Sequence, residues 1–103
     1  MTLRDALDRA SGGIPDALET VDGNGATTWA IHEVVFATLD GTGTTASFRL
    51  DPILAGAARR TPDTTDSFLG HEWVEFRPAL VDGHAVDRAT SWFEAAARRA
   101  VRA

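Results

Sequence analysis

The chain has 103 residues, of which 44% are apolar and 24% charged, and these values are those of one ordinary globular domain spanning residues 1–103. It contains no cysteine, which excludes a disulfide framework, a thiolate metal site and a cysteine nucleophile. Its formal net charge of −5 argues against strong non-specific attraction to a phosphate backbone, and all ten basic residues are arginine.

The N-terminal part of the chain predicts a short helix and then a segment of ambiguous structure. Thr2 can cap a helix over residues 2–10, where Leu3, Ala6, Leu7 and Ala10 form an apolar stripe. Gly12-Gly13 ends it. Residues 16–21 fit either a helix or an edge strand, with a preference for strand only at 18–21, so that this strand stays an open alternative.

Three strands in meander order are predicted from the β-branched and aromatic residues of segments 27–31, 34–39 and 44–50. The first two are joined by His32-Glu33, which lacks the glycine or asparagine that a type I′ turn prefers. The second and third are joined by a stronger turn sequence at residues 40–43.

A second helix, two strands and a third helix follow. Asp51 at the cap and Pro52 at the first helical position start the second helix, with Ile53, Leu54, Ala57 and Ala58 as its buried stripe. Strands over 67–69 and 72–77 are joined around Gly70-His71, and the last helix covers about 85–101. The chain therefore predicts an α+β fold, α-β3-α-β2-α, with an antiparallel sheet packed against helices.

The three tryptophans have two alternative interpretations, a platform for stacking nucleic-acid bases or filling of the core. For Trp92 the core is favoured, because a domain without tyrosine needs other large side chains to fill its interior. Trp73 favours the core less strongly. Trp29 lies beside threonines on a predicted edge strand, so that it is the tryptophan expected to be exposed.

Four segments together resemble the MmcQ/YjbR family in order and spacing. They are Ile31-His32-Glu33-Val34-Val35-Phe36-Ala37, Ser47-Phe48-Arg49-Leu50-Asp51-Pro52, Phe68-Leu69-Gly70-His71-Glu72-Trp73-Val74 and Ala89-Thr90-Ser91-Trp92-Phe93. The resemblance covers nearly the whole chain, and it implies an α-β3-α-β2-α fold similar to that of type III secretion chaperones. It also implies DNA binding, which is proposed for that family through a double-wing surface.

The chain departs from the family where a wing would meet phosphate. Ile31, His32 and Glu33 replace the glycines and lysine of the hairpin, so that a basic tip becomes one with a carboxylate. Arg49 replaces the lysine before Asp-Pro. Under the resemblance, the nucleic-acid contacts would come from residues on or beside the sheet: Arg49, Arg77, His71 and Trp73. The alternative for these side chains is a solvated face with cross-strand partners such as Glu75.

No catalytic arrangement is recognisable in the sequence. The serines lack a G-x-S-x-G elbow, and the glycine-rich turns do not open a helix as a phosphate-binding loop does. His32-Glu33 and His71-Glu72, with His84, suggest a metal site only superficially, because adjacent strand residues face opposite sides of a sheet. We therefore expect no enzyme, metal or cofactor.

The sequence leaves two functions open. One is a nucleic-acid-binding accessory protein, which rests on the resemblance. The other is a protein-binding or chaperone-like module, which the chaperone-like fold and the acidic balance favour. The N-terminus has no apolar core of a secretory signal, and no apolar run approaches the ~20 residues of a membrane span, so we expect a cytoplasmic protein without membrane contact.

Overall fold

One six-stranded antiparallel sheet and three helices form the protein in a computed structural model, which describes residues 1–102. The strands lie in the order β1-β2-β3-β4-β6-β5. This architecture confirms the predicted α+β class and the antiparallel sheet. The elements are α1 (Leu3–Gly12), β1 (Leu18–Val21), β2 (Thr27–Ile31), β3 (Val34–Leu39), β4 (Ala46–Arg49), α2 (Pro52–Ala58), β5 (Thr64–Ser67), β6 (Gly70–Phe76) and α3 (Gly83–Val101).

Strand β1, which the sequence left as an open alternative, is present in the structure. Four strands therefore precede α2, whereas the predicted order had three. Strand β1 pairs with β2 along its whole length, and all four of its residues are exposed. An exposed edge strand needs no apolar alternation, which is why its sequence signal is weak. Pairing with β1 makes β2 an interior strand, and the Trp29 side chain packs against Phe93 of α3, so that Trp29 is 0% exposed. The expectation that Trp29 is exposed was therefore wrong.

Helices α1 and α3 cover one face of the sheet and build the core with it. Phe93 of α3 contacts Trp29 and Phe36 edge-on, with ring centroids 5.4 and 5.1 Å apart. Trp92 makes the equivalent contact with Phe76 at 5.1 Å and is buried, as predicted. These aromatic contacts fix α3 over the centre of the sheet.

A bulge in β3 brings an extra aromatic side chain to the helix-covered face. Trp29 pairs with Ala37, and the next residue Ala30 pairs with Val35, so that Phe36 has no partner on β2. Phe36 and Ala37 are both buried although adjacent strand residues normally face opposite sides. The bulge therefore supplies Phe36 to Phe93.

Helix α2 begins as predicted but buries a different side. The Asp51 carboxylate accepts hydrogen bonds from the backbone N–H groups of Ile53 and Leu54, and Pro52 occupies the first turn. The buried residues are Ala55 and Ala58, whereas Ile53 is 87% exposed and Ala57 is also exposed. The predicted stripe was wrong at these two positions, because this short helix packs mainly on β6 and leaves Ile53 and Ala57 on its exposed side.

The β5–β6 hairpin turns two residues earlier than predicted. Strand β5 ends at Ser67 and β6 begins at Gly70, so that Phe68 and Leu69 form the tip instead of Gly70 and His71. A register irregularity between Asp66 and Ser67 accompanies this tight turn. Within residues 1–102, no helix combines the length and apolar character needed to cross a membrane.

Candidate binding surface on the open face of the sheet

The face of the sheet opposite α1 and α3 carries a row of hydroxyl side chains that crosses all six strands. Residues that pair across antiparallel strands project to the same face. The pairing therefore defines one row with a single carboxylate in it: Thr20, Thr28, Thr38, Ser47, Glu75 and Thr65. We call this set the hydroxyl row. Because the side chains of this row are polar, this face of the sheet does not form a second hydrophobic core like the one under α1 and α3.

A groove of about 500 Å³ follows the hydroxyl row and is bounded by the β5–β6 tip. Thr28, Thr38 and Ser47 line the groove together with the apolar side chains of Phe68 and Leu69. Phe68 is 92% exposed, more than any other large apolar residue of the described chain. A polar floor thus adjoins an apolar wall in which Phe68 is almost fully exposed and Leu69 is partly exposed.

An apolar patch lies beside the hydroxyl row on the same face. Leu18 pairs with Ala30, and Ala30 pairs with Val35, so that their side chains are neighbours across three strands. Leu18 is 68% exposed and Val35 is 38% exposed. Clusters of this kind are more often contact surfaces than single exposed apolar residues are.

Three charged residues line the groove: Asp40, Glu75 and Arg77. Burial opposes ionisation of Asp40, but hydrogen bonds from the Thr42 hydroxyl and the backbone N–H groups of Thr45 and Thr44 outweigh it and lower the pKa of Asp40. Asp40 is therefore ionised at neutral pH. Arg77 is exposed and makes no side-chain ion pair within residues 1–102.

The four residues predicted to contact nucleic acid are divided between two places. Arg49 and Trp73 pair across β4 and β6. The Arg49 guanidinium is bound to Glu72, with Nη2 3.1 Å from the carboxylate oxygen, and lies beside the C-terminal turns of α3. His71 is exposed next to Trp73, and its backbone carbonyl accepts a hydrogen bond from Arg59. Arg77 follows the far end of β6 and lines the groove.

Glu72 connects the sheet to α3 through two guanidinium groups. Its second carboxylate oxygen accepts a hydrogen bond from Nη2 of Arg99 at 2.5 Å. The hydrogen bonds from Arg99 and Arg49 lower the pKa of Glu72. Arg49 thus shares a carboxylate partner with Arg99, whereas Arg77 has no ion pair within residues 1–102.

The three histidines lie at separate places in the fold. Within residues 1–102, no group of three or more histidine, aspartate or glutamate side chains has the geometry to hold a metal ion. His32 lies at the β2–β3 tip, His71 on β6 and His84 in the first turn of α3.

Sequence reasoning did not find the hydroxyl row or the exposed tip. Threonines at 28 and 38 and Ser47 were visible in the sequence, but only the strand register shows that they are neighbours. Phe68 and Leu69 were placed in a strand, where alternation would have buried one of them. The signal that could have identified the tip is the pair of consecutive large apolar residues directly before Gly70.

Comparison with protein-family models and with curated proteins finds no match to this sequence. The resemblance to the MmcQ/YjbR family therefore stays a prediction that rests on the four segments quoted above.

Proposed function

We propose that this protein is a non-catalytic module that binds a polypeptide segment of a partner protein on the open face of its sheet. The observation that carries the proposal is Phe68, which is 92% exposed beside the groove along the hydroxyl row. An aromatic side chain left in water next to a groove is typical of interface hot spots. Leu69 and the patch of Leu18, Ala30 and Val35 add apolar area on the same side.

The partner segment is expected to be basic and to carry apolar side chains. The protein has a net charge of −5, and Asp40 and Glu75 outnumber Arg77 in the groove. Opposite charge on the partner accelerates encounter and disfavours wrong partners, while apolar side chains fill the wall formed by Phe68 and Leu69. The threonine hydroxyls of the floor can donate to and accept from a peptide backbone.

DNA binding, which the resemblance implies, has weaker support. Arg49 is already paired with Glu72, and the β2–β3 tip carries Glu33 instead of a lysine. Of the predicted contact residues, Arg77 is the one arginine without an ion pair in residues 1–102. One free guanidinium among the predicted contact residues, on a protein with a net charge of −5, provides little of the phosphate neutralisation on which DNA affinity depends.

Selection from a random peptide library tests the proposal, because it requires no identified partner. Selected peptides should be enriched in arginine or lysine and in large apolar residues, and Phe68→Ser should abolish their binding. Ile53→Ser is the matched control, because Ile53 is 87% exposed but lies on α2, away from the groove. Peptides that bind Phe68→Ser and the parent protein equally would refute the proposed surface.

Fluorescence anisotropy of labelled duplex and single-stranded DNA at low and moderate salt provides the opposing test. Saturable binding that falls steeply with salt, and that Arg49→Ala and Arg77→Ala both weaken, would replace the protein-binding proposal by the DNA-binding one. Absence of binding up to about 100 μM, beyond typical non-specific affinities, would support the protein-binding proposal.

A further inference from the structure

A second cavity lies between the C-terminal turns of α3 and the adjacent ends of β3 and β4. Its volume is about 290 Å³, close to the lower limit of small-ligand pockets. Three arginines line it, namely Arg49, Arg99 and Arg102. None of its lining residues belongs to the groove on the open face.

The charges around this cavity leave one positive charge without a counter-ion. Glu72 is shared by Arg49 and Arg99, so that this group carries two positive charges against one negative charge. Asp51 also lines the cavity, but its carboxylate is held by the backbone N–H groups of α2. Arg102 is exposed and makes no ion pair within residues 1–102. Three guanidinium groups and two carboxylates therefore give the site a net charge of about +1.

Arg99 has hydrogen-bonding capacity that the protein does not use. Its Nη2 binds Glu72, but its Nη1 is buried and has no hydrogen-bond partner. A buried donor of a charged group without an acceptor is costly. Arg99 forms part of the cavity wall, so that a small shift of its side chain would present this buried donor to an acceptor bound in the cavity.

The remaining walls of the cavity are apolar. Val34 and Phe36 of β3 face Ala96 and Ala100 of α3 across it. Phe36, Ala96 and Ala100 are almost fully buried, whereas Val34 is half-buried. An inorganic anion would leave the exposed part of Val34 in contact with water, whereas an organic acid would cover it. A single carboxylate also matches the net charge of the site better than a doubly charged phosphate does.

We propose that this cavity binds a small organic monocarboxylate, with its carboxylate between Arg99 and Arg102 and its hydrocarbon part against Val34. The guanidinium of Arg49 closes the site from the β4 side, where Glu72 holds it in place. Arginine forks suit carboxylates because two parallel N–H groups can meet the two oxygens. The proposal does not depend on the protein-binding function of the open face.

The test uses 4-fluorobenzoate as a probe, observed by ¹⁹F NMR with the full chain. Saturable binding is expected, with 4-fluorobenzamide binding at least about ten-fold more weakly because it lacks the charge. Inorganic phosphate should not compete. No binding of the benzoate up to about 10 mM would overturn the proposal, because even a fragment-sized ligand in a fitting pocket binds more tightly.

Three variants locate the site. Arg99→Lys keeps a positive charge beside Glu72 but removes Nη1, and Arg102→Ala removes an exposed guanidinium without breaking an ion pair described above; each should weaken binding roughly ten-fold. Arg98→Ala is the matched control, an exposed arginine of the same helix that does not line this cavity. Circular dichroism verifies that the variants fold. Equal effects of Arg98→Ala and Arg102→Ala, or competition by phosphate at the same concentration, would refute the proposed monocarboxylate site.

Discussion

The two residues of the β2–β3 turn have backbone conformations that glycine or asparagine adopts more easily. His32 has φ of 49° and Glu33 has φ of 68°, as a type I′ turn requires at both positions. A side chain in this region costs about 1 kcal/mol or more. Glu33→Gly should therefore stabilise the protein by about 0.5–1 kcal/mol after the greater entropy of glycine in the unfolded chain is subtracted. Urea unfolding measures this change in stability. Glu33→Ala is the control, because it removes the same charge but keeps a side chain at the positive φ. An equal gain in stability with alanine would contradict the backbone explanation.

Gly41 is required for a different reason, close approach of two turns. A Cβ atom at position 41 would lie 2.4 Å from the backbone carbonyl oxygen of Asn24, in the turn between β1 and β2. Gly41→Ala should separate these turns and destabilise the protein by about 1–3 kcal/mol, as overpacking does. Thermal unfolding provides the measurement. Gly23→Ala is the control, because a Cβ there has nothing within 4 Å, and an equal loss in both variants would contradict the close-approach argument.

At the scale of elements, the start of α3 depends on one capping carboxylate. The Asp82 side chain accepts a hydrogen bond from the backbone N–H of Ala85 at 2.9 Å. Asp82→Ala should lower the free energy of unfolding by about 1 kcal/mol. Asp82→Asn should retain most of this stabilisation, because asparagine caps a helix equally well. Denaturant titration of both variants checks this. Equal losses in the two variants would show that the negative charge, and not the hydrogen bond, is what stabilises the helix end.

The elements predictable from the sequence are those whose ends are determined by local chemistry. Thr2 caps α1 in a box with Asp5, and Asp51-Pro52 begins α2, as the sequence indicated. Strand β1, the bulge at Phe36 and the orientation of Ile53 depend on which element packs alongside, and no local pattern contains that information. The candidate surface was missed for the same reason, since its row is defined by strand register. Arg49 was found as a candidate, but its partner Glu72 was not.

At the scale of the whole molecule, acid should unfold the protein partly through Glu72. Its folded pKa lies below its ordinary value of 4.5 because of hydrogen bonds from Arg99 and Arg49. The stability it contributes is complete above pH 4.5 and is lost as pH falls through the lower folded value. Glu72→Gln should therefore flatten the fall in stability on acidification, measured by thermal unfolding across this pH range. The control is Glu94→Gln, which removes an exposed carboxylate of α3 that has no ion pair within residues 1–102.

Glu19 should act in the opposite direction. Desolvation and the neighbouring carboxyl group of Asp8 raise its folded pKa above the ordinary value of 4.5, although Arg4 partly opposes this. Its contribution to stability is complete below pH 4.5 and is lost as pH rises through the raised folded value. Glu19→Gln should therefore increase stability at pH 7 and leave it unchanged in acid, as thermal unfolding at the two pH values would show. A gain of the same size at both would contradict the ionic explanation. Because Glu19 lies on edge strand β1 and Asp8 on α1, their repulsion at neutral pH acts where the edge of the sheet meets the first helix.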